Sequence, residues 1–81
     1  MSAAMDSNTK QVTIYVRLLD EGTEVFRPVI AEHLTDDSFR VLATPNYDPE
    51  DEQWEFPPGT IVTCKQRKMQ GENVLVAIAR C

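Results

Sequence analysis

The chain has 81 residues and a formal charge of −5. That length allows a single domain with a thin core, which buries roughly 60–65% of the unfolded surface. Hydrophobic residues at 42% and charged residues at 26% exclude a chain that is disordered throughout. No apolar run approaches the roughly 20 residues that cross a bilayer.

The charge is uneven. Residues 1–59 carry twelve acids and four bases, a balance of −8, and residues 60–81 carry one acid and four bases, a balance of +3. The acidic part repels phosphate backbones and anionic surfaces, which argues against nucleic acid and membranes as partners. Lys65, Arg67 and Lys68 form a small basic cluster, read as a solvated hairpin end.

Residues 1–10 are polar, without apolar period and without the hydrophobic centre of a secretory signal, and are expected to form a disordered tail. Residues 11–18 alternate: Val12, Ile14, Val16 and Leu18 face one way, Gln11, Thr13, Tyr15 and Arg17 the other. That is the period of a half-buried strand. Asp20-Glu21-Gly22-Thr23 makes a turn. Residues 23–32 form a second strand with apolar groups on both faces. Pro28 cannot donate to a ladder, so the strand is an edge or bulged there. A helix over residues 28–34 competes, because Pro suits a first helical turn.

Thr35-Asp36-Asp37-Ser38 is a turn cluster, and residues 39–43 are a short strand. A long acidic loop runs from Pro45 to Gln53. Trp54, Glu55 and Phe56 then lead into Pro57-Pro58-Gly59. Residues 60–67 and 73–80 are the fourth and fifth strands, with Gln70-Gly71-Glu72-Asn73 turning between them. The last strand contains a continuous apolar run, Val74 to Ala79. A strand with one wet face alternates instead, so cover is expected on both faces, with a second copy of the chain as one source. Five short strands separated by turns give an all-β fold: a small five-stranded antiparallel barrel or meander, SH3-like, over residues 11–81.

Little here carries catalytic chemistry. His33 is the single histidine, and a Cys–His pair with Cys64 has no local support. No Gly-rich phosphate loop and no Cys or His metal spacing is present. The expectation is a non-enzyme without cofactor or metal. Asp48, Glu50 and Glu52 repeat at i, i+2 and i+4, three oxygens for a hard cation, but the loop lacks the EF-hand glycine and Pro49 restricts Asp48. The two cysteines, Cys64 and Cys81, have no framework spacing, which fits a cytoplasmic chain with reduced thiols.

The same loop combines Tyr47, Asp48, Glu50, Asp51, Glu52 and Trp54. Aromatic rings rimmed by carboxylates suit a basic or proline-bearing peptide. The plainer alternative has Trp54 and Phe56 plugging one end of the barrel. The parts list is similar to that of an SH3 domain, with acids after the first strand and then a Trp, a Tyr and a Pro. The Ala-Leu-Tyr-Asp-Tyr signature and the tandem Trp of that family are absent, so its peptide binding is not carried over. A rival reading is a barrel that binds a small molecule or single-stranded nucleic acid, the latter with Tyr15, Arg17, Arg27 and Arg40 on a common outer face.

Four strings stand together: Leu18-Leu19-Asp20-Glu21-Gly22-Thr23, Phe26-Arg27-Pro28-Val29, Tyr47-Asp48-Pro49-Glu50-Asp51-Glu52, and Trp54-Glu55-Phe56-Pro57-Pro58-Gly59. They resemble a set of short bacterial proteins that share the pattern LLDEGT…RPV…WEFxPGxxV over about residues 12–80. The resemblance implies a stand-alone domain and no particular ligand. Arg27 has Glu21, Glu24 and Glu55 as candidate ion-pair partners. A half-exposed pair would contribute about 0–1 kcal/mol, and loss of a buried one would cost about 3–5 kcal/mol. The expected function is a non-catalytic module that binds a protein or peptide, with self-association as a further element.

Overall fold

The computed structural model describes residues 10–81, so the tail expected over residues 1–10 lies outside the described residues except for Lys10. The described chain is all-β. It consists of β1 (Lys10–Leu18), β2 (Val25–His33), β3 (Ser38–Val41), β4 (Ile61–Met69) and β5 (Glu72–Arg80), closed into a barrel in that order. Consecutive strands run antiparallel. An odd number of strands in such a meander brings the first and last together in the same direction. β1 and β5 accordingly meet in parallel, at the single pair Tyr15↔Val76.

The alternation of β1 is realised as expected. Ile14, Val16 and Leu18 are buried in the core, and their partners on β2 include Val29 opposite Ile14 and Val25 opposite Leu18. The helix considered over residues 28–34 does not form, because β2 runs unbroken to His33. β3 pairs with β2 only over Ala31–His33, leaving Pro28 where β2 has one strand neighbour. A missing N–H costs nothing on an open edge.

Two turns show their chemistry. Residues 57–60 form a turn closed by Thr60 N–H donating to Pro57 O at 3.1 Å, with Pro58 second and Gly59 third at φ 93°. That is a type II turn, whose third position favours glycine. The β4–β5 hairpin turns on Gln70 and Gly71 alone, both at positive φ (51° and 85°). This two-residue turn matches the twist of the flanking strands, so Met69 and Glu72 join the strands rather than the loop.

The apolar run of β5 is divided three ways. Thr63 pairs with Ala79 and Cys64 with Ala77, which leaves Ile78 as the extra residue of a bulge. Leu75 and Ala77 pack on the core cluster. Val76 is only 1% exposed yet stands apart from that cluster, with Tyr15 and Lys65 as its register partners. Ile78 is 44% exposed. Cover for Val76 is therefore supplied within the chain, while Ile78 stays partly open.

Candidate functional site

The acidic loop is a folded element. Tyr47 N–H donates to Thr44 O at 3.1 Å and closes its first turn. The Asp48 carboxylate then accepts the Glu50 amide at 2.9 Å, and Asp48 O accepts the amides of Asp51 and Glu52 at 3.0 Å. With Pro49 in the first position, this is one capped helical turn. Residues 53–55 next lie along the end of β1: Leu19 N–H donates to Gln53 O at 2.7 Å and Glu55 N–H to Arg17 O at 2.8 Å. Leu18 and Trp54 form an antiparallel bridge there.

That bridge turns Trp54 into the core, where it is 4% exposed. Its indole N–H donates to Glu52 Oε1 at 3.0 Å. Tyr47 meets the indole edge-on, with ring centroids 4.6 Å apart. Arg27 donates from Nε to Glu52 Oε1 at 3.2 Å and from Nη2 to Glu52 Oε2. Glu52 thus ties β2, the loop and the indole together.

The six expected site residues divide accordingly. Tyr47, Glu52 and Trp54 hold the fold, and Asp48 caps the turn. Glu50 and Asp51 are exposed. The plug role of Trp54 and Phe56 is realised, since both are buried in the core cluster. Trp54 offers no free face beside the acids because it is buried, and Tyr47 is half-buried with its ring against the indole. An open cleft of about 280 Å³ lies between β2 and the loop, lined by Pro28 and Pro45, by Asp48 and Asp51, and by the Arg27–Glu52 pair, with Thr44 and Asn46 beside them.

Arg27 pairs with Glu52 rather than with Glu21, Glu24 or Glu55. Its register gives a reason: it is paired with Val16, on the core-facing side of β2. A cation in that phase needs a local carboxylate, and the loop folding back over β2 supplies it. The Arg27 side chain is 44% exposed, so the pair is of the half-exposed kind. Arg27→Ala is expected to cost no more than about 1 kcal/mol in urea unfolding, and a loss of 3 kcal/mol would contradict that reading.

The outer face proposed for Tyr15, Arg17, Arg27 and Arg40 is only half assembled. Tyr15 and Arg17 lie on the outward side of β1, whereas Arg27 is held by Glu52 and Arg40 by Glu32 at 2.8 Å. His33 stacks on Phe39 with centroids 4.6 Å apart, and its Nε2 lies 3.3 Å from Asp36 O. Burial, with the nearby Cys81 charge adding to it, pushes the Cys64 thiol up to about 11. It is therefore protonated at neutral pH and is no thiolate nucleophile. Cys81 is exposed, and hydrogen bonds from the Ser38 and Thr63 hydroxyls hold its thiol below the ordinary range.

Among the described residues, no group of three or more His, Cys, Asp or Glu side chains is placed to hold a metal ion. Among them too, no helix is long and apolar enough to cross a membrane. No protein family, curated protein or solved structure matches this chain.

Proposed function

We propose that this barrel is a non-catalytic interaction module that binds a protein or peptide in the cleft between β2 and the acidic loop. The supporting observation is a cleft that sets two carboxylates beside two rigid prolines, with its one cation, Arg27, already neutralised by Glu52. Asp48 and Asp51 line the cleft beside Pro28 and Pro45, and among the described residues neither acid makes an ion pair. A cation on an apolar stem, the side chain of Arg or Lys, matches that lining. The loop is already ordered by Asp48 and Glu52, so little conformational entropy remains to be lost on binding.

This reading places the module in the cytoplasm, where the free thiols of Cys64 and Cys81 stay reduced. It extends to self-association along the outer side of β5, where Ile78 is exposed. A single-chain molar mass over a concentration series would remove that last element.

Calorimetry with a short Arg-rich peptide and its Glu-substituted counterpart tests the proposal. The Arg peptide binds and the Glu peptide does not. Asp51→Asn weakens binding severalfold, in proportion to one exposed charge pair. Equal heats for the two peptides would sink the assignment.

A further inference from the structure

The outer side of the barrel collects groups that are scattered in the sequence. Tyr15 pairs with Pro28 and Arg17 with Phe26, so Tyr15 and Phe26 are diagonal neighbours on one face. Both rings are half-buried. With Met69, Gln70, Glu72 and Val74 of the β4–β5 hairpin they line an open cleft of about 290 Å³. The Arg67 guanidinium lies 5.8 Å from the Phe26 ring centroid. Lys65 shares the Arg67 side of β4, two residues away, and Arg17 stands beside Phe26.

Among the described residues, the cations of this face, Arg17, Lys65 and Arg67, make no ion pair, although Arg67 lies over the Phe26 ring. Arg27 and Arg40, by contrast, are taken up by Glu52 and Glu32. Glu72 is the only acid among the cleft residues. Arg17 also lines the cleft of the β1–β2 turn, together with Asp20, Glu21 and Glu24.

We propose that this outer cleft binds single-stranded nucleic acid, with bases stacked on Tyr15 and Phe26 and phosphates held by Lys65, Arg67 and Arg17. The ligand must offer flat apolar groups and regularly spaced anionic charge together. An acidic peptide offers the charge without the flat groups. Stacking tolerates any base, because every base has a π face. Outward residues two apart on a strand stand about 6.6–6.8 Å from each other, a step that suits successive phosphates of an extended strand. The chain-wide charge of −5 does not settle the outcome. At physiological salt, exposed charges beyond about 8 Å are largely screened, so the groups lining the face decide. The site is independent of the acidic cleft, and either can fail without the other.

The experiment is fluorescence anisotropy of labelled oligodeoxythymidine and its RNA counterpart, titrated with the full chain at rising salt. Saturable binding that weakens with salt is expected. Lys65→Gln with Arg67→Gln, both at exposed positions, lowers the log–log salt slope by about 1.4. Phe26→Ala, checked for folding by circular dichroism, weakens binding about tenfold or more. No anisotropy change at about 50 mM salt with the wild-type chain folded would overturn the proposal, the regime in which phosphate contacts are strongest. Binding unchanged in the Lys65/Arg67 double variant, or equal competition by polyglutamate at matched charge, would overturn it as well.

Discussion

Trp54→Ala is expected to destabilise the barrel by about 3–5 kcal/mol, the range for removing a large buried aromatic. Trp54 is 4% exposed and packs within the core cluster. It also receives the edge of Tyr47 and donates to Glu52. Removing the indole opens a cavity and leaves Glu52 with Arg27 alone, so the loop loses its anchor. A domain of this size has a total stability of roughly 4–12 kcal/mol, so the variant is expected to be partly unfolded at 37 °C. Urea unfolding followed by far-ultraviolet circular dichroism measures the change, since the single tryptophan is gone. Trp54→Phe keeps most of the packing and loses the hydrogen bond, and is expected to cost clearly less. A Trp54→Ala change within 1 kcal/mol of wild type would mean that the indole is not a core element.

Ile14→Ala is the second large effect, a loss of about 2–5 kcal/mol. Ile14 is fully buried, opposite Val29, in the middle of the most regular strand. Ile78→Ala removes the same atoms from the bulge of β5, where the residue is 44% exposed, and is expected to shift stability by less than about 1 kcal/mol. The two variants, compared by thermal unfolding, separate burial from composition. Similar losses for both would show that the outer side of β5 is covered in solution, as a partner subunit would cover it.

Parts of the fold were legible because local rules sufficed. The period of residues 11–18 identified a one-sided strand, since each alternate residue meets the same environment whatever the topology. Gly59 after two prolines and Gly71 before Glu72 marked reversals, because those positions need positive φ. The candidate loop was legible in its location and charge. Its internal arrangement was not, because nothing local says which side of a long loop faces the core.

Sequence alone determined the number of strands, the faces of β1, the turn positions and the acidic character of the long connection. Tertiary structure decided the rest. Trp54 turns inward because residues 53–55 bridge to the end of β1, a contact between segments far apart in the chain. Arg27 finds Glu52 because the loop folds back over the open part of β2. Val76 is buried because closure brings it beside Tyr15, although its alternation with Ala77 points it away from the core. The uneven charge was visible along the chain, but only the fold gathers Asp48, Asp51 and Glu52 at one cleft and sets Arg67 against the Phe26 ring. Periodicity encodes what a residue sees from its own strand. Closure of the barrel decides which distant groups meet it, and the long-range pairing that sets closure leaves no local signature.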